Sequence, residues 1–203
     1  MFLSFDGVDG AGKTTQLDLF CAWLAERGRN VVRCRDPGTT PLGETIRNLL
    51  LDRKSITIDS RAEMLLYMAS RAQLVDEVIR PALEAGKAVV SDRYLLANVV
   101  YQGHALGLDP ATIWEIGRIA TAGLRPDLTV VLDLSPQAAE ARRRRPLDDI
   151  ESRGAAYNAA VREGFLREAA RDPESIAVID SSRAVEAIQA DIIAAVRRKF
   201  PEL

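Results

Sequence analysis

One short segment near the N-terminus carries residue types spaced to hold a polyphosphate. Gly7-Val8-Asp9-Gly10-Ala11-Gly12-Lys13-Thr14 fits G-x-x-x-x-G-K-[ST] at every fixed position. The glycines let backbone N–H groups curl around phosphate oxygens, and the start of a helix adds a favourable dipole. Lys13 is placed to reach the β- and γ-phosphates, and the Thr14 hydroxyl to ligate Mg²⁺. Residues Gly7 through Thr15 are therefore the expected contacts of a nucleoside triphosphate. The motif alone does not say what becomes of that triphosphate.

Other candidates lie far apart in sequence. Arg47, Arg71 and Arg93 come from three separate segments and could converge on a second phosphate through bidentate contacts. An arginine chosen blindly is a solvated surface group. Asp92-Arg93 departs from that expectation, because it ends a strand, where open α/β sheets put their ligand sites. Asp92 could hold Mg²⁺ through water, or serve as an ion-pair partner or cap. Tyr67 precedes Arg71 by one helical turn and reads equally well as a base-stacking ring or as a half-buried core tyrosine. The run Arg142-Arg143-Arg144-Arg145 follows a strand and could close over a triphosphate, although charge runs usually form solvated faces.

These residues need a scaffold, and the hydrophobic pattern supplies one. Short β-like runs alternate with helical stretches, which predicts an α/β fold with a mostly parallel sheet. Strands are expected at residues 2–5, 31–35, 88–91, 130–134 and 176–179. Helices are expected at 13–27, 42–51, 60–84 and 185–199. Leu17, Phe20, Cys21 and Leu24 share one face of the first helix, and Gly28 is placed to cap its end. Ser60 with Glu63 reads as a capping box, and Pro81 as a kink or an earlier end.

The chain has 203 residues, 47% of them hydrophobic and 28% charged, which suits a single domain spanning residues 1–203. A formal net charge of -2 argues against general nucleic-acid binding. No apolar stretch approaches the roughly 20 residues that span a bilayer, and no secretory signal is visible, so no membrane role and a cytoplasmic location are expected. Cys21 and Cys34 read as small buried residues and not as a disulfide framework. His104, the lone histidine, has no ligating cluster around it in sequence, sits in an expected loop and is given no role.

Taken in order, several segments resemble the bacterial-type thymidylate kinases, within the P-loop nucleoside monophosphate kinases. They are Phe5 to Gln16, Arg35-Asp36-Pro37-Gly38, Thr40-Pro41-Leu42-Gly43-Glu44, Arg71-Ala72-Gln73-Leu74, Asp92-Arg93-Tyr94, Tyr101-Gln102-Gly103, Arg125-Pro126-Asp127-Leu128-Thr129 and Leu147-Asp148-Asp149-Ile150-Glu151. The P-loop is unspecific, whereas the ordered set is highly specific.

The resemblance implies a three-layer P-loop kinase fold. Its five-stranded parallel sheet has order 2-3-1-4-5, with helices on both faces and a lid near residues 142–155. It also implies ATP with Mg²⁺, dTMP as acceptor and a homodimer. Asp9 resembles the P-loop acid that contacts the acceptor's 3′-hydroxyl. Tyr67 resembles the ring that stacks on thymine. Arg71 and Arg93 resemble the arginines at the base edge and the acceptor phosphate. Asn98 matches a position that bonds the thymine edge, and Tyr101 an aromatic near C2′ that disfavours ribose. Arg35, Pro37, Arg47 and Gln102 complete the implied acceptor site.

Some family members carry a catalytic arginine inside the P-loop, at the position of Gly10 here. The charge is then expected from the lid, from Arg143, Arg144 or Arg145. The chain also departs from the family pattern. Asp36-Pro37-Gly38-Thr39 stands where Glu-Pro-Gly-Gly is frequent, Ala97 where serine is common, and Asp149 where a basic residue is common in a lid about two residues short.

The expected chemistry is direct transfer from ATP to dTMP. Three rivals stand at the level of sequence. One is a kinase for another pyrimidine monophosphate such as dUMP or UMP. Another is a nucleotide-binding switch without an acceptor, against which stands the absence of an Asn-Lys-x-Asp segment. The third is a paralogue that binds nucleotide but has lost turnover, against which stand the intact P-loop and Asp92-Arg93.

Overall fold

The computed structural model describes residues 1–51, 56–142 and 153–203. Five strands make one parallel sheet: β1 (Phe2–Gly7), β2 (Val31–Arg35), β3 (Ala88–Asp92), β4 (Leu128–Asp133) and β5 (Ile176–Asp180). Their order is β2-β3-β1-β4-β5, as the resemblance implied. Around the sheet lie α1 (Lys13–Ala25), α2 (Pro41–Leu51), α3 (Ser60–Leu74), α4 (Arg80–Glu84), α5 (Leu95–Asn98), α6 (Pro110–Ala120), α7 (Pro136–Arg142), α8 (Ala155–Arg171) and α9 (Val185–Lys199).

Alternation along β1 serves both faces of the sheet. Phe2 meets the ring of Tyr94 edge-on, with centroids 5.0 Å apart. Phe5, of opposite parity, packs against Phe20 of α1 at 5.7 Å. Leu17, Phe20 and Leu24 are fully buried, which accounts for the helical period of α1. Cys21 is only half-buried, and both cysteines are free. Gly28 takes φ 74°, and the Arg29 N–H donates to Leu24 O at 3.1 Å, closing the helix as a C-terminal cap. Among the described residues no helix is long and apolar enough to cross a membrane.

The long helix expected over 60–84 differs from expectation in two ways. Its cap is Asp59, whose side chain accepts from the Arg61 N–H, and not Ser60. Glu63 turns inward instead of back to the cap and is fully buried. The helix also widens into a π segment, Val75–Ile79, before α4. Pro81 follows immediately, and its missing N–H and bulky ring favour such a widening over a regular turn. A second π segment, Val99–His104, extends α5. His104 is thus helical and not in a loop, and its Nε2 pairs with Glu168 Oε1 at 2.7 Å.

Candidate active site

The register aligns the carboxyl ends of three adjacent strands. Arg35 of β2 lies opposite Asp92 of β3, and Asp92 lies opposite Phe5 of β1. The phosphate loop, Arg35 and Arg93 therefore lie at the carboxyl edge of the sheet, where open parallel sheets put their ligand sites.

The phosphate loop joins β1 to α1. Lys13 lies across it, with Nζ donating to Gly7 O at 3.1 Å and Val8 O at 2.9 Å. Burial, and then the nearby Arg93 guanidinium, pull its pKa below the usual lysine value. Gly10 has φ 84°, and a Cβ there would stand 2.7 Å from the Ala139 carbonyl oxygen of α7. No side chain fits at that position without moving α7 or the loop. An arginine at this P-loop position is thereby excluded.

Arg93 follows β3 in the left-handed region, φ 68°, which is uncommon for a residue with a side chain. Its N–H donates to Phe5 O at 2.9 Å. The Ser91 hydroxyl donates to its carbonyl at 2.6 Å. The side chain is thereby aimed back over β1, where Nη1 donates to Gly7 O at 3.1 Å and Nη2 to Asp9 Oδ1 at 2.5 Å. The guanidinium also sits 4.9 Å from the Tyr101 ring centroid. Burial works to lower its pKa, but Asp9, Tyr101 and Asp92 hold it well above the ordinary arginine value.

Two clefts meet over this edge. One is lined by Asp9, Lys13, Thr14, Arg35, Asp92 and Arg93, among others. The other is lined by Pro37, Arg47, Tyr67, Arg71, Asn98, Tyr101 and Gln102 with Asp9 and Arg93. Arg47, Arg71 and Arg93 all line the second cleft. Tyr67 lines that cleft with Arg71 and is half-buried, packed against the core. Arg35 lies on the phosphate-loop side, outside the second cleft, where Nη2 donates to Glu44 Oε1 at 2.8 Å.

Several contributors were missed from sequence. Asp36 is buried and accepts from Arg71 Nε at 2.5 Å. Its place in the Arg35-Asp36-Pro37-Gly38 segment was the available signal. Glu63, Arg153 and Tyr157 support the same region. Asp6 is fully buried on β1, and neither carboxylate oxygen has a hydrogen-bond partner among the described residues. Burial pushes its pKa up to about 7 against the opposing pull of Arg93 and Lys13. Asp92 Oδ1 is likewise buried and without a partner among the described residues. Asp92 and the exposed Thr14 line the same cleft, and a carboxylate with a hydroxyl there suits a hard divalent cation such as Mg²⁺.

Arg142 ends α7, and its Nη1 donates to Ser181 O at 2.8 Å. Arg143, Arg144, Arg145 and the Leu147 to Glu151 motif lie outside the described residues.

A family model described as thymidylate kinase matches residues 5–192. A thymidylate kinase of Symbiobacterium thermophilum is 44% identical over 202 residues, covering 99% of this chain and 94% of its own. One from Bifidobacterium longum is 45% identical over 195 residues, covering 95% of each chain. The crystal structure of thymidylate kinase from Ehrlichia chaffeensis superposes with a TM-score of 0.79 at 31% identity, covering 97% of this chain and 98% of that one.

Proposed function

The chain belongs to the thymidylate kinase family of nucleoside monophosphate kinases, and we propose that it moves the γ-phosphoryl group of ATP to dTMP, giving dTDP and ADP. One observation carries this reading: Asp9 and Arg93 line both clefts, so the residues suited to the donor and to the acceptor meet at one ion pair.

In the proposed mechanism the P-loop amides and Lys13 hold the ATP phosphates. Arg93, with Arg47 and Arg71 beside it, holds the dTMP phosphate in line with the γ-phosphorus. An oxygen of that phosphate attacks, the bond to the β–γ bridging oxygen breaks, and ADP leaves. No general base is required, because the acceptor phosphate is already anionic near neutral pH. Mg²⁺, held by Thr14 and Asp92, would neutralise charge on the β- and γ-phosphate oxygens. Tyr67 supplies a platform for thymine, Asn98 and Gln102 its hydrogen-bonding edge, and Tyr101 the wall that disfavours ribose. A lid arginine, one of Arg143, Arg144 and Arg145, stabilises the spreading charge, in keeping with the lack of room at Gly10.

The enzyme is proposed to act in the cytoplasm as a homodimer. In support of the latter, α3 and α6 pack together and leave Leu65 53% and Ile119 69% exposed.

A coupled ADP-release assay with dTMP, dUMP, UMP, dCMP, dGMP and no acceptor tests the reading. Turnover highest with dTMP and absent without acceptor is expected. Preference for another monophosphate would remove the thymine assignment. Acceptor-independent ADP release would replace the kinase with an ATPase.

A further inference from the structure

An unbroken series of side-chain hydrogen bonds runs along the acceptor cleft. It begins at Asp36, whose Oδ2 accepts from Arg71 Nε at 2.5 Å. Arg71 Nη1 donates to Asn98 Oδ1 at 3.0 Å. Asn98 Nδ2 donates to Gln102 Oε1 at 2.7 Å. Gln102 Nε2 donates to Glu63 Oε1 at 2.7 Å. Glu63 is tied to Arg153, with Nη2 to Oε2 at 2.6 Å and Nη1 to Oε1 at 3.3 Å. Asp36, Glu63, Arg71, Asn98 and Gln102 are all buried.

The series has a direction. Arginine only donates, and a carboxylate only accepts. Asn98 and Gln102 stand between them, and each is an amide whose two ends match in shape but not in hydrogen bonding. Glu63 at one end and Arg71 at the other fix which way both amides face. Both amide oxygens point toward the Arg71 end, and both NH₂ groups toward Glu63. Each oxygen uses one lone pair in the series and keeps a second.

Asn98, Gln102 and Arg71 line the cleft, whereas Glu63 does not. A thymine or uracil edge presents an imide N–H beside carbonyl oxygens. Cytosine presents a bare ring nitrogen and an amino group instead. An amide oxygen accepts the imide N–H and repels the cytosine nitrogen, while Arg71 suits a carbonyl oxygen. We propose that Glu63 is a specificity-determining positioning residue: by orienting Gln102 and Asn98 it makes the cleft select an imide-bearing pyrimidine over cytosine. This inference rests on the thymidylate kinase reading above.

Glu63→Gln tests it with almost no change of shape. The one carbonyl oxygen left on the substituted side chain is drawn to Arg153, whose charge-assisted Nη2 contact is the shortest that Glu63 makes in this series. The new NH₂ group then faces Gln102, which must turn over, and Asn98 is left with its NH₂ toward Arg71. Removing the pull of Arg153 lets that carbonyl return to Gln102, so the double variant E63Q/R153M reverses the defect. Arg153→Met alone leaves Glu63 as an acceptor and the direction intact.

The readout is the ratio of kcat/KM for dTMP to that for dCMP, which is internal to each variant. We expect E63Q to lower it by at least about tenfold, chiefly through KM for dTMP, since a site built around hydrogen bonds discriminates through them. R153M should leave the ratio near wild type, and E63Q/R153M should recover most of the loss. An unchanged ratio in E63Q, equal losses for both acceptors, or a fall in R153M as large as that in E63Q overturns the inference. Wild-type enzyme with no preference for dTMP over dCMP overturns the functional reading first, and the inference with it.

Discussion

Asp9 Oδ1 accepts from both Arg93 Nη2, at 2.5 Å, and Lys13 Nζ, at 3.3 Å. One carboxylate thus sits between the cation suited to the donor phosphates and the cation suited to the acceptor phosphate. Asp9→Asn keeps the shape and removes the charge that orients both. We expect kcat with dTMP to fall about 10²-fold, or ~2.7 kcal/mol, since misplacement of reacting groups is costly at this scale. Lys13→Ala should abolish transfer altogether. Steady-state kinetics at saturating ATP and dTMP reads both. Full activity in Lys13→Ala would contradict the placement of the triphosphate.

The carbonyl of Ala139 leaves no room for a side chain at Gly10. Single alanine variants of Arg143, Arg144 and Arg145 should therefore include at least one whose kcat falls by about tenfold or more, ~1.4 kcal/mol. Adding Gly10→Arg to that variant should not restore the rate, because the new side chain displaces the loop. Recovery of kcat in the double variant would show that the P-loop position can supply the charge after all.

Asp6 shapes the pH dependence of stability in the free enzyme. Its pKa rises from 3.8 to about 7 on folding, so the native state binds the extra proton between those values. Stability from this group is fully present below about pH 4 and is lost as pH rises through about 7. A shift of about three units corresponds to at most ~4 kcal/mol. Asp6→Asn removes the penalty, so its stability gain over wild type should grow from pH 4 to pH 8 in denaturant titrations. A gain independent of pH would contradict a protonated Asp6.

Tyr101 is braced edge-on by Tyr157 and Phe165, at 6.4 and 6.1 Å between ring centroids. Such bracing suits a wall beside the sugar. Tyr101→Ala should lower the preference for dUMP over UMP, two acceptors that differ only at the 2′ position, by about tenfold, in line with one lost steric contact. An unchanged preference with both activities reduced would leave Tyr101 only a packing role.

The phosphate loop and the strand alternation were legible because their signals are local. Gly12-Lys13-Thr14 declares itself by spacing, and β1 by its apolar run ahead of the loop. The partners of Arg71 were not legible, since Asp36 and Asn98 reach it from other elements through tertiary packing. Glu63 misled for a specific reason. Three residues after Ser60 it fits a capping box, but Asp59 is an equally good cap one residue earlier, and Glu63 is drawn inward by Gln102 and Arg153. His104 was read as a loop residue from its glycine neighbours. The π segment absorbs Gly103, and Glu168 on a distant helix fixes the ring.

The central claim is that one site brings ATP and dTMP together for direct transfer. Incubation with ATP labelled in its γ-phosphoryl group, with and without dTMP, tests it most directly. The label should appear in dTDP, in step with ADP, and should remain in ATP when dTMP is left out. Label released as inorganic phosphate, at a rate indifferent to dTMP, would contradict the account.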